Sequence, residues 1–246
     1  MTTYKRVRFF LQLSLGLSLV VAIIIEPVAA PLKSAPEAPK PTEDNRFGFT
    51  PNKGLNIITL DDLPPMIAKR AKWLQTERQK NGYRVTTDAE IDRYTLRNMQ
   101  KAFVPIEKIE KKFTAKIGKP INEGAFGGDM VLEGFIPANR LSGAVIYGIS
   151  RIYTLNDKSF LMVKEVDLDS GIKVAFPAEA INENVNGYPA MLNVSKTKTG
   201  KVLTSLTWVT DQKLFIVTKA SRESKEVVNT TNGQLNKLIE FSQTLE

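Results

Sequence analysis

The 246-residue chain carries 34 Lys and Arg against 26 Asp and Glu, and it contains neither cysteine nor histidine. The two zeros exclude disulfide scaffolds, thiol nucleophiles, iron–sulfur clusters and thiolate zinc sites, along with Ser-His-Asp machinery and imidazole metal centres. A hydrophobic content of 42% is enough for a core, and the length suits one generous domain or two small ones.

Residues 1–30 are expected to be a targeting segment. Lys5, Arg6 and Arg8 precede a 17-residue apolar stretch, Phe9 to Ile25, interrupted only by Gln12, Ser14, Gly16 and Ser18. Val28 and Ala30 suit the small-residue positions of a signal-peptidase site, whereas Pro31 disfavours a cut there. Such a stretch is long for a cleaved segment and short for a spanning helix, so a signal peptide and an uncleaved membrane anchor both remain open. On either reading the basic residues hold the N-terminus in the cytoplasm and the remainder is exported. The expected location is the bacterial cell envelope, across the inner membrane, soluble in the periplasm or anchored by residues 9–25.

Residues 31–52 read as a Pro-rich linker. Six of the chain's 13 prolines fall between Pro27 and Pro51, a composition that favours extended polyproline II structure over packing.

A basic helical region is expected over 53–119. Ile67, Ala71 and Leu74 share a helical face, Pro64-Pro65 suits a first turn, and Asn81-Gly82 suits a stop. Thr87 with Glu90 resembles a capping box, opening a helix that places Ile91, Thr95, Asn98 and Ala102 on one side. Pro105 kinks that helix or starts another, and Ile106, Ile109, Phe113 and Ile117 make an apolar stripe that Gly118 and Pro120 stop.

Over 120–246 the period switches to two. Strands are expected near 130–136, 143–155, 159–167, 171–176, 187–195, 201–210 and 213–219, separated by turn signals such as Asn156-Asp157 and Asp211-Gln212. Leu206 and Trp208 should face one way, Leu203 and Val209 the other. Thr231 with Gln234 suits the cap of a last helix bearing Leu235, Leu238, Ile239 and Leu245. The fold class expected is α+β: a helical N-terminal half, then an antiparallel β-meander with a C-terminal helix packed on it.

Charge is unevenly placed. Residues 31–128 hold 18 basic and 12 acidic side chains, whereas residues 129–246 hold 13 of each. The basic excess is densest at Lys69, Arg70, Lys72, Arg78, Lys80 and Arg84. An ordinary solvated face is the plain explanation. Outside the cytoplasm, such a face also suits anionic lipid or an acidic envelope protein partner, and export argues against nucleic acid. Lys69, Arg70, Lys72 and Trp208 are the residues singled out as candidates for ligand or partner binding.

Several fragments imitate catalytic motifs. Ser170-Gly171-Ile172-Lys173 fits S-x-x-K and Lys198-Thr199-Gly200 fits K-T-G, but they lie in apparent turns between strands and too close together. Asp167 to Gly171 lacks the later ligands of a calcium loop, and the glycines from Gly124 to Gly128 lack the Gly-Lys-Ser/Thr of a phosphate loop. No catalytic residue, metal site or cofactor is expected. Trp208 and Phe215, on adjacent expected strands, are more often core than ligand platform.

Val185-Asn186-Gly187-Tyr188, Thr207-Trp208-Val209, Leu214-Phe215-Ile216-Val217 and Leu238-Ile239-Glu240 follow an order that resembles bacterial extracytoplasmic sheet-plus-helix domains. These are of the lipoprotein-carrier and anti-sigma-factor-regulator type, and the resemblance covers about residues 185–246. It implies a curved antiparallel sheet wrapped on a helix, offering an apolar concavity to acyl chains or peptides. The expectation is thus a non-enzymatic binding or adaptor protein of the envelope, for a lipid-like ligand or an envelope protein. The alternatives are a structural component of a secretion, pilus or conjugation assembly, and an envelope hydrolase using Ser170 with Lys173.

Overall fold

Among the described residues, the stretches of alternating side chains become strands, with Asn156-Asp157, Lys198-Thr199-Gly200 and Asp211-Gln212 between neighbours. The computed structural model describes residues 54–110, 130–140, 146–168, 174–221 and 236–245. It combines helices and strands, with a large β-sheet in the C-terminal region and few helices. The targeting segment, the Pro-rich linker, the Gly124–Gly128 run and the Ser170–Lys173 motif lie outside the described residues. Among the described residues no helix is long and apolar enough to cross a membrane.

Among the described residues there are ten strands: β1 Leu55–Ile58, β2 Arg84–Thr86, β3 Met130–Arg140, β4 Ile146–Leu155, β5 Phe160–Asp167, β6 Val174–Pro177, β7 Glu183–Val185, β8 Tyr188–Thr197, β9 Val202–Val209 and β10 Lys213–Ser221. The main sheet runs β2-β8-β9-β10-β5-β4-β3, with β7 also paired to β8. All its pairings are antiparallel except β2 with β8. The chain therefore makes two meanders, β3-β4-β5 and β7-β8-β9-β10, joined where β10 lies against β5. The expected single meander is corrected in this respect: β6 leaves the sheet and pairs in parallel with β1.

Tight connections follow from local chemistry. Thr210 N–H donates to the Lys213 carbonyl at 2.8 Å across the Asp211-Gln212 turn. Lys158, with φ 57°, closes the β4–β5 turn by donating its N–H to Leu155 at 2.8 Å. Lys198-Thr199-Gly200 is the β8–β9 hairpin turn, where Gly200 takes φ 92°.

One face of the sheet carries Leu161, Val163, Leu192, Leu206, Trp208, Phe215 and Val217. The helix over 236–242 (α5) buries Leu238 and Phe241 against them, with Ile239 and Leu245 packed at the side. The opposite face carries two further clusters. One joins Val166, Val209 and Leu214 to Val174 and Phe176 of β6, and the other joins Ile152, Leu203 and Ala220 to Ile91 and Tyr94. Leu206 and Trp208 thus fall in one cluster and Leu203 and Val209 in clusters of the other face, as their alternation requires.

The N-terminal part holds α1 (Pro65–Asn81) and three short helices, α2 (Asp88–Asp92), α3 (Leu96–Met99) and α4 (Ile106–Glu110). Pro65 opens α1, and Gly82, at φ 73°, ends it with its N–H on the Arg78 carbonyl at 2.8 Å. That left-handed conformation favours glycine. The long helix expected from Thr87 to Ala102 is broken instead. Thr87 does cap α2 with its side chain, but Thr95 adopts extended backbone and α3 starts afresh after it, without a side-chain cap. The break lets Ile91 and Tyr94 meet the sheet beside Leu96, Met99 and Phe103, a wider apolar contact than a straight helix would give. After Phe103 the chain straps across β3, with Val104 N–H on the Phe135 carbonyl at 2.9 Å, and α4 then buries Ile109 against Ile149. Residues 53–119, expected to be helical, also supply β1 and β2.

Candidate functional site

The basic helix α1 lies beside the edge of the sheet formed by β2. Along its 17 residues only Ala68 is fully buried, so the helix packs by one narrow seam, with Ile67 and Ala71 joining Leu60 and Leu63. Two contacts fix its start. The Glu179 carboxylate accepts the Leu60 N–H at 3.2 Å to each oxygen, and Thr59 donates its N–H and hydroxyl to Asp62 at 2.8 Å each. Toward its end, Arg78 and Glu183 of β7 act on one another's charge: burial lowers the Arg78 pKa and raises that of Glu183, and each partner opposes the other's shift.

Between α1 and β2 the surface opens into a cleft of about 550 Å³, within the size range of small-ligand sites. Arg70 and Trp73 come from α1, Arg84 and Val85 from β2, Asp88 and Glu90 from α2, and Lys198 from the β8–β9 turn. Trp73 is 50% exposed and Val85 45%, large apolar surfaces to leave in water.

The electrostatics of the cleft are set by which charges are already paired. Arg84, only 8% exposed, donates Nη2 to Glu90 Oε2 and to Thr86 Oγ1, both at 2.8 Å. Its Nε is buried without a hydrogen-bond partner. Burial lowers the Arg84 pKa, Glu90 opposes the shift, and the like charge of Arg70 adds to it. Asp88 accepts the Thr199 hydroxyl at 2.7 Å and lies 3.6 Å from the Lys201 ammonium, which binds Asp92 more closely at 2.7 Å. Both carboxylates of the cleft are therefore engaged. Arg70 and Lys198 have no ion pair among the described residues.

The four candidate residues from sequence separate. Arg70 lines the cleft; Lys69 and Lys72 are exposed on α1 outside its lining, and Lys72 pairs with Asp61 at 2.6 Å. Trp208 is fully buried and stacks on Phe215, ring centroids 4.9 Å apart at 12°, so it presents no surface to a ligand in this arrangement. Arg84, Trp73, Val85 and Lys198 were not singled out as a site. Arg84 stood in the basic run and Lys198 in the K-T-G fragment, but only the parallel pairing of β2 on β8 brings those segments together.

A second hollow of about 180 Å³ lies between α2, α3 and the start of β5. It contains the Lys201–Asp92 pair, which already satisfies its charge. Among the described residues no cluster of acidic side chains could hold a metal ion. The K-T-G lysine has no serine partner in the cleft lining, and Thr199 is spent on Asp88.

No known protein family matches the chain, and no curated protein matches it. The cleft is therefore interpreted from its own chemistry.

Proposed function

We propose that this is a non-enzymatic binding or adaptor protein of the bacterial cell envelope, exported by its N-terminal segment and held periplasmic or membrane-anchored. Its fold combines a large C-terminal sheet with a few helices, and the basic α1–β2 side meets an anionic partner. The observation that carries the reading is the open cleft, where Arg70 and Lys198 have no ion pair among the described residues and stand beside the half-exposed Trp73. Cationic surface of this kind steers anionic partners, and exposed aromatic surface supplies short-range affinity. The resemblance of residues 185–246 to lipoprotein-carrier and anti-sigma-regulator domains supports binding rather than catalysis. The Asp88 and Glu90 carboxylates and the Thr199 hydroxyl are already engaged by neighbours.

Cell fractionation with N-terminal sequencing tests location and cleavage together, and mass spectrometry of co-purifying molecules tests binding. Recovery in the envelope with an anionic lipid or acidic protein is expected. Full-length polypeptide free in the cytosol overturns the proposal.

A further inference from the structure

We infer that the α1–β2 cleft is a phosphate-binding site, in which Arg70 and Lys198 take the phosphate oxygens and Trp73 with Val85 takes the apolar or aromatic body that carries it. This deepens the binding role proposed above by naming the ligand's chemistry, and it rests on that role.

Three observations converge. First, the cleft wall holds a buried, already paired guanidinium, so its cationic lining is fixed in place. Arg84 is nine-tenths buried, anchored by Thr86 and Glu90, and keeps an Nε–H donor without a partner. Second, Arg70 shares the cleft and its like charge reaches Arg84. Glu90 answers the Arg84 charge, whereas Arg70 has no ion pair among the described residues, and its guanidinium fork matches phosphate oxygens. Third, Glu90 is paired with Arg84, and Asp88 is hydrogen-bonded to Thr199 with the Lys201 ammonium 3.6 Å away, so the cations outnumber the carboxylates in the wall. Arg70 and Lys198 leave two cations for one ligand, which favours a phosphate over a singly charged carboxylate. Beside them, Trp73 and Val85 keep about half of their surface in water. Covering that surface adds apolar burial to charge recognition, so the ligand is a phosphate on a hydrophobic carrier rather than the bare ion. The same chemistry occurs in a phospholipid headgroup and in a soluble phosphate ester.

Calorimetry on the purified protein at low salt, with phenyl phosphate, inorganic phosphate and benzoate, tests the cleft. Sedimentation with phosphatidylglycerol vesicles in a phosphatidylcholine background tests the lipid source. Arg70, Trp73 and Lys198 are all exposed, so their variants should fold. Arg70→Gln and Lys198→Gln should each weaken phenyl phosphate binding about tenfold, the scale of one charged hydrogen bond. Trp73→Ala should weaken phenyl phosphate more than inorganic phosphate, and Lys69→Gln with Lys72→Gln should leave both unchanged. Vesicle binding that falls with the same cleft variants, with or without phenyl phosphate binding, supports the site and assigns a lipid headgroup. Phenyl phosphate binding without vesicle binding supports it and assigns a soluble ester. Benzoate binding as tightly as phenyl phosphate overturns the phosphate assignment. Equal losses in the cleft variants and in the Lys69/Lys72 variant overturn the cleft while leaving an envelope role for the basic face. Failure of every probe overturns the site, and the envelope role then rests on fractionation and co-purification.

Discussion

Glu165 Oε1 receives the Arg151 guanidinium at 2.6 Å with neither side chain more than 5% exposed. Lys213 reaches the other carboxylate oxygen at 2.9 Å. The three side chains link β4, β5 and β10, so one carboxylate ties the first meander to the second. Glu165→Ala leaves two cations without it and should cost about 3–5 kcal/mol in urea unfolding. Replacing all three together by apolar residues of similar volume should cost less than the single change, because no charge is then left stranded. A triple variant less stable than Glu165→Ala would contradict this account.

The two tryptophans should respond oppositely. Trp208→Ala removes a fully buried ring stacked on Phe215 and should cost about 3–5 kcal/mol. Trp73→Ala, on the exposed side of α1, should change stability by about 0.5 kcal/mol or less. Chemical denaturation of both variants gives the comparison directly.

Gly134 lies on β3 against Phe103, the residue from which the strap over β3 begins. A methyl group there would stand 2.5 Å from the Phe103 ring. Gly134→Ala should therefore cost about 1–3 kcal/mol through overpacking. Phe103→Ala added to it should recover part of that loss, and a double-mutant cycle should return a clear coupling energy.

Lys164 carries an ammonium group that burial pulls down to about 8. It is partly buried, opposite Ser150 on β4 and Ile216 on β10. Between that value and its ordinary 10.5, the unfolded chain binds the proton more tightly than the folded one. The Lys164 contribution to stability should therefore rise as pH climbs from about 8 toward 10.5, whereas below 8 its penalty is constant. Lys164→Met should gain about 1 kcal/mol near neutrality and flatten the alkaline limb of the stability–pH curve.

Asp88 titrates below the usual carboxylate range, chiefly because the Thr199 hydroxyl bonds to it, with Thr197 and Lys201 adding to the effect. A depressed carboxylate stabilises the fold above its unfolded value and loses that contribution as pH falls through its folded value. Thr199→Val should move the Asp88 midpoint upward in a carboxyl NMR titration. An unmoved midpoint would show that the hydroxyl is not the dominant partner.

Much of the sheet was legible because its signals are local. Asn156-Asp157 and Asp211-Gln212 mark turns by composition alone, and Leu206, Trp208 and Val209 alternate within a few residues. The start and stop of α1 were equally readable from Pro64-Pro65 and Asn81-Gly82. What the pattern hid depends on partners far along the chain. Arg84–Thr86 is too short to show a period, and it is a strand because Ser195–Thr197 offers it an edge. Leu55–Ile58 likewise exists by pairing with Val174–Pro177. Thr87 to Ala102 carries enough helical spacing to suggest one helix, and only the sheet beneath it rewards the break at Thr95. The cleft was illegible for the same reason: Arg70 stood in a visible basic run, but Lys198 joins it through a hairpin turn that resembled a catalytic fragment.

The placement of β10 between β9 and β5 has a consequence for biogenesis. As a ribosome or translocon releases the chain from its N-terminal end, β5 is delivered well before its neighbour, and its ladder groups wait unpaired until Lys213–Ser221 emerges. A nascent chain stalled ahead of that strand presents a bare, largely apolar edge to other chains. Escort by a holding chaperone through this interval, rather than help with final packing, is what the topology calls for.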